Sequence, residues 1–161
     1  MRNIRSLYMA HPFGDRLRLR EEEKRIEAAT GLNLVNPFYD VKGRLDIAQF
    51  DKLAKDRTFK DRDERQKWIA SWGLKPSIPK EVVERDLKAI RGADGVLAFF
   101  TDKISVGTPM EVFYASRVLH RPVYLIIEDR SKMGHPWLVY YATAIYTTVD
   151  EFITSINMAR Q

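Results

Sequence analysis

The chain is expected to fold as a three-layer α/β sandwich around one mostly parallel, five-stranded sheet. Short apolar runs such as Val96 to Phe100 and Pro122 to Ile127 have the character of buried strands. Segments of helical length alternate with them, the pattern of a parallel sheet carrying helices on both faces. With 161 residues, 45% hydrophobic and 30% charged, there is enough chain for one globular domain with a real core.

Ile4 to Ala10 is the first predicted strand, followed by a loop at His11-Pro12-Phe13-Gly14. Asp15 to Thr30 has helical character and stops at Gly31, a C-terminal cap. Leu32 to Val35 forms the second strand, broken by Asn36-Pro37. A polar, mixed-charge stretch runs from Asp40 to Lys75, where one or two peripheral helices are predicted, their aromatic residues Phe50, Phe59, Trp68 and Trp72 covering the core. Pro79 opens the next helix, in which Val82, Val83, Leu87 and Ile90 form an apolar stripe with Asp86 beside it. The strand Gly95 to Phe100, the loop Thr101 to Gly107 and the helix Thr108 to His120 follow. Pro122 to Ile127 is a buried strand, Trp137 to Ala142 a short helix, Ala144 to Thr148 a last strand and Asp150 to Met158 a closing helix. Residues 1–161 are thus read as a single flavodoxin- or Rossmann-like domain with a charged helical insertion at about residues 40–75. Internal repeats, a Walker-type phosphate loop and a G-x-G-x-x-G run are all missing.

Composition narrows the chemistry. There is no cysteine, so disulfide frameworks, thiolate metal sites and cysteine nucleophiles are excluded. His11, His120 and His135 lack metal-ligand spacing, and no metal site is expected. No apolar run reaches the length of a membrane span and the N-terminus lacks a signal-peptide pattern, so the expectation is a cytoplasmic protein without a membrane partner. The net charge of +5, from 27 basic against 22 acidic residues, favours anionic ligands only weakly. Arg16, Arg18, Arg20, Lys24 and Arg25 cluster, but Glu21, Glu22 and Glu23 interrupt them as on a solvated helix face, and no nucleic-acid polymer is expected as a partner.

The most informative segment is Ser105-Val106-Gly107-Thr108-Pro109-Met110-Glu111, directly after the strand ending at Phe100. The carboxyl edge of an open α/β sheet is its usual binding crevice, and this loop brings Gly107, backbone N–H groups and one carboxylate to it. Glu111 is the leading catalytic candidate. The same residues also fit a capping box, with Pro109 at the first helical position and Glu111 bonding the backbone N–H of Thr108. Spacing alone favours the cap.

Several segments together resemble the nucleoside 2-deoxyribosyltransferase family and its relatives that hydrolyse nucleotide N-glycosidic bonds. Leu7-Tyr8-Met9-Ala10-His11-Pro12-Phe13 is similar to the family's Y-x-A-G-P-F strand and loop, and Asn36-Pro37-Phe38-Tyr39-Asp40 to its N-P-F-x-D turn. Glu84 to Ile90, followed by Ala93-Asp94, resembles the helix that carries a sugar-side aspartate. Gly107-Thr108 with Glu111 resembles the G-T-x-x-E nucleophile motif. The resemblance covers the beginning and the C-terminal half and leaves the charged middle aside.

The resemblance implies a retaining displacement at C1′ of a deoxyribose, with Glu111 attacking the anomeric carbon to give a glycosyl ester that a second base or water resolves. A helix N-terminus beside Glu111 is expected to keep its carboxylate ionised. Asp86 would meet the base or assist proton transfer, against a solvated helical carboxylate near Arg85 and Lys88 as the plain alternative. Tyr8 would border the sugar or orient the nucleophile, against simple packing. Phe13 and Asp40 would touch the base, while Asp94 reads as a strand-start residue. No metal or organic cofactor is required; the implied partners are a nucleoside or nucleotide and a free nucleobase.

Ser105 stands where the transferases carry an aspartate. In the related 5′-monophosphate N-glycosidases an S-x-G-x-x-x-E arrangement resembles a phosphate contact, and a hydroxyl accepts a phosphate that a carboxylate would repel. Asp102 could restore the acidic contact. Transferase and monophosphate hydrolase are both open, as is a noncatalytic nucleotide-sensing module on the same fold. His135-Pro136-Trp137-Leu138 offers no clear counterpart to an asparagine that neighbouring subunits lend in the family. Met110, Val112, Phe113 and Tyr114 nevertheless make the helix Thr108 to His120 apolar enough to predict a homodimer or higher oligomer, with core packing as the alternative.

Overall fold

A computed structural model describes residues 4–40, 60–71, 78–103 and 105–160. Strand β1 spans Ser6–Ala10 and leads through a 3₁₀ turn at Phe13–Asp15 into helix α1, Arg16–Thr30. Gly31 ends α1 with a left-handed φ of 67°, a conformation that costs glycine nothing because it has no Cβ. Strand β2 is Asn33–Val35. Helices α2, Arg62–Ser71, and α3, Ile78–Gly92, precede strand β3, Gly95–Phe100. Helix α4, Gly107–Phe113, continues as a π-helical turn over Tyr114–Val118. Strand β4 is Val123–Ile127, helix α5 Pro136–Tyr141, strand β5 Ala144–Tyr146 and helix α6 Val149–Met158.

All five strands are parallel, in the order β2-β1-β3-β4-β5. This refines the expected mostly parallel sheet, and the order is the doubly wound one whose ligand crevice lies between the first and third strands. Leu7 pairs with Gly95 and Ala10 with Ala98 across that switch point. Gly95 is required by close approach, since a Cβ there would stand 2.6 Å from the Pro122 carbonyl oxygen.

Strand alternation sends Leu7, Met9, Leu97, Phe99 and Ile126 to one face, where α1 and α6 cover them with Leu19, Ile26, Phe152 and Ile156. Tyr8, Ala10, Val96, Ala98 and Leu125 go to the other, packed by Ile90, Val112, Ala115 and Leu138 from α3, α4 and α5. The apolar stripe predicted for α3 is narrower than expected. Ile90 is buried but Val83 is 55% exposed, because Val82 and Val83 lie about 100° apart on a helix of 3.6 residues per turn.

In the segment predicted as one or two peripheral helices, α2 is present; the remainder, with Phe50, Phe59 and Trp72, lies outside the described residues, as does the side chain of Trp68. Among the described residues no helix is long and apolar enough to cross a membrane.

Candidate active site at the switch point

Tyr8 on β1 is fully buried, and its hydroxyl donates to Glu111 Oε1 at 2.6 Å, joining positions 103 residues apart. Glu111 therefore does not cap its own helix. The backbone N–H of Thr108 donates instead to Ser105 Oγ at 3.2 Å, and the two hydroxyls of Ser105 and Thr108 lie 2.9 Å apart. Helix α4 begins at Gly107, one residue earlier than expected, and Pro109 falls in its first turn, where a missing N–H leaves no intrahelical bond unmade. The capping-box alternative fails on this geometry.

The Glu111 carboxyl is pushed up to about 7, first by burial and then by the nearby charge of Asp86, against the Tyr8 hydrogen bond and Arg85. This corrects the expectation that the helix start keeps Glu111 readily ionised: withdrawal from water outweighs it. Burial and the Glu111 charge raise the Tyr8 hydroxyl well above the ordinary phenol range, so it stays a donor. Asp86 on α3 is paired rather than solvated. Arg85 Nε and Nη2 donate to Asp86 Oδ1 at 3.0 and 2.8 Å, and burial holds this carboxyl above its usual value against the pull of Arg85. Tyr8, Glu111, Asp86 and Arg85 form one electrostatic unit assembled from β1, α3 and α4.

The other predicted residues have different surroundings. Phe13 lies under the Arg16 guanidinium, 3.9 Å from its ring centroid, and meets Phe38 edge-on at 5.3 Å. Asp40 accepts the Asn36 backbone N–H at 2.9 Å and pairs with Arg20, so it ties the turn after β2 instead of offering a free carboxylate. Asp102 is exposed, with Lys103 Nζ 3.7 Å away. At Gly107 an added Cβ would meet nothing within 4 Å, so glycine is not demanded there by packing. Asp94 binds β1 to β3, its Oδ2 accepting the backbone N–H groups of Arg5 and Ser6, each at 2.9 Å.

Sequence reasoning missed two features. Arg85 was read only as a neighbour of Asp86, whereas its side chain is 9% exposed and holds that carboxylate in place. The second is a buried polar chain behind the loop after β1. Asn36 Nδ2 donates to Glu23 Oε2 at 2.6 Å, Asn36 Oδ1 accepts the Phe38 N–H at 3.1 Å and lies 3.3 Å from His11 Nε2, and Arg20 pairs with Glu23. The signal for it was Glu23 at helical spacing between Leu19 and Ile26, on the face of α1 that turns inward.

An apolar chamber of about 500 Å³ opens on the other side of α4, between it and α5. Thr108 and Val112 line it, Glu111 does not; Ser105, Lys103 and Lys132 stand around it. Val112 and Phe113 pack inward, the latter edge-on against Tyr141 at 5.6 Å, so core packing accounts for them while Met110 remains 62% exposed. Among the described residues, no three His, Asp or Glu side chains come together as a metal site.

Fold and site define an open, doubly wound α/β domain with a tyrosine-bound carboxylate at its switch point. No protein-family model matches the chain, and no curated protein matches it in sequence. Among solved structures it resembles a 2-deoxyribosyltransferase from Bacillus psychrosaccharolyticus, with 16% identity, a TM-score of 0.57 and coverage of 94% of this chain and 95% of that one. A conserved protein from Enterococcus faecalis V583 is similar at 12% identity and a TM-score of 0.58, over 97% and 99% of the two chains. A CMP N-glycosidase from Clostridium botulinum aligns over 96% and 99% at 14% identity and a TM-score of 0.49. At these identities the likeness is one of fold.

Proposed function

We propose that this protein cleaves the N-glycosidic bond of nucleosides or their 5′-monophosphates and passes the sugar to another nucleobase or to water. A Glu111 oxygen attacks the anomeric carbon; the C–N bond breaks, its electron pair leaves with the base nitrogen, and that nitrogen takes up a proton or hydrogen bonds. A base nitrogen or water then attacks the same carbon and expels Glu111. Tyr8 orients the nucleophile through its hydrogen bond, and Asp86, set by Arg85, faces the leaving base.

The observation that carries this reading is the Tyr8–Glu111 bond, which holds a glutamate off its own helix end and ties it to β1 beside the switch point with β3. The fold shared with a 2-deoxyribosyltransferase agrees with it. Ser105 in the place of an acidic residue, with Lys103 and Lys132 lining the same chamber, favours a 5′-phosphate over a 5′-hydroxyl. We further propose that a homodimer or higher oligomer covers Val106 and Met110, which lie one turn apart and are 80% and 62% exposed; sedimentation reads this directly.

Chromatography of products after incubation with deoxynucleosides, deoxynucleoside monophosphates and ribonucleotides, with and without a free base, tests the activity. Free base from monophosphates alone marks the hydrolase. Base exchange between deoxynucleosides marks the transferase. Tight binding without turnover of any substrate would replace both with a nucleotide sensor.

A further inference from the structure

We propose that the ligand is longer than a nucleoside monophosphate: a nucleotide whose phosphate carries a second aromatic group, with the phosphate near Lys103 and Lys132 and the added group in the chamber between α4 and α5. This rests on the reading of Glu111 as the sugar-side nucleophile. The chamber's volume, about 500 Å³, falls within the size range of small-molecule pockets, and its walls have their usual character. Phe100, Val112, Phe113, Leu138 and Tyr141 supply apolar and aromatic surface, which a phosphate cannot use and which offers water few partners. The charged residues lining it are lysines, whose partners Asp102 and Asp129 lie outside the lining, so its rim suits an anionic group on the occupant.

The two lysines are not equivalent. Lys132 donates to the Thr101 carbonyl and lies 2.9 Å from Asp129 Oδ2, which fixes it in position. Among the described residues Lys103 has one ionic neighbour, Asp102 at 3.7 Å, and is 54% exposed, so it can turn toward an anion. Ser105 and Thr108 line the chamber, and Thr108 lies in the first turn of the helix that carries Glu111 three residues on, so a ligand running past that turn reaches both places. Trp137 stands at the mouth 63% exposed, its ring 5.9 Å from that of Tyr141, and offers a flat apolar face to a stacking partner.

The test uses the intact protein with the four nucleoside 5′-monophosphates and the matching symmetrical P1,P2-dinucleoside diphosphates, followed by calorimetry and tryptophan fluorescence. The expected result is at least tenfold tighter binding of a dinucleoside diphosphate, with quenching that disappears in Trp137→Phe. Trp137→Ala brings the two affinities together without weakening the monophosphate, and Lys103→Glu weakens both ligands. Equal affinities with no Trp137 quenching overturn the proposal, and cleavage of monophosphates in that case leaves the activity standing. Tight dinucleotide binding with no cleavage of any substrate keeps the chamber assignment and removes the activity. Shielding of Trp137 from iodide in the protein alone, as a second copy seated on it would produce, also overturns the assignment.

Discussion

Two glutamates sit behind the sheet's carboxyl edge, on opposite faces of β1, and burial pushes both up to about 7. Glu23 is enclosed by partners: Asn36 on one oxygen, Arg20 on the other, and through Asn36 the turn holding Phe38. Glu111 accepts from Tyr8 alone among the described residues, with a like charge, Asp86, nearby. The same side chain thus serves two ends. Saturated with donors it is part of the scaffold; left with one, it keeps lone-pair capacity for a ligand.

Replacing each glutamate should separate these roles. Glu111→Gln is expected to lower turnover by ~10³-fold or more, because positioning cannot replace a missing nucleophile. Its folded-state pKa is raised, so the native protein holds a proton that the unfolded chain releases near 4.5, and wild-type stability falls as pH rises from there through about 7. The melting temperature of Glu111→Gln should therefore equal or exceed that of the wild type, with the advantage complete above pH 7. Near-normal activity with reduced stability would make Glu111 structural after all.

The pH profile sharpens the contrast. In the proposed mechanism the carboxylate is the attacking form, so kcat/KM should rise with pH through an apparent pKa of about 7. Asp86→Asn removes a charge that raises Glu111 and should move this rising limb to lower pH, even if the maximum rate falls. An unmoved limb would separate Asp86 from the nucleophile.

On the scaffold side, Glu23→Gln takes a carboxylate acceptor from either Asn36 Nδ2 or the Arg20 guanidinium and should cost about 1–3 kcal/mol in denaturant unfolding above pH 7, where Glu23 is ionised. Its KM and kcat should change far less than those of Glu111→Gln. The smallest effect is expected for Ser105→Ala, which deletes the hydroxyl that receives the Thr108 N–H, about 1 kcal/mol as for other helix-start caps. A loss of phosphate-substrate affinity beyond that stability change would show Ser105 also touching the ligand.

Most of the architecture is legible in the sequence. The run Gly95–Phe100 is buried at every position, as a continuous apolar strand in a parallel sheet must be, and Gly31 stops α1 where the periodicity ends. Small errors fell at element ends, where caps decide the boundary. The Thr148 hydroxyl accepts the Glu151 N–H and draws the start of α6 back to Val149, and Ser105 does the same for α4 at Gly107. The site was half legible. Glu111, Tyr8 and Asp86 do lie together, but spacing alone preferred a cap for Glu111, because a local Thr-x-x-Glu pattern says nothing about a tyrosine 103 residues away.

What the amino-acid order determined by itself is the set of elements, their burial and the face each side chain takes, all consequences of periods 2 and 3.6 acting over a few residues. What only the folded chain decided is which polar groups are left short of partners. Asp40 and Glu23 became structural because neighbours from other elements closed on them, whereas among the described residues Glu111 accepts from Tyr8 alone, which leaves it the capacity the proposed chemistry requires. Burial and partner count are properties of the packed assembly, and they set each carboxylate's ionisation and so its chemistry.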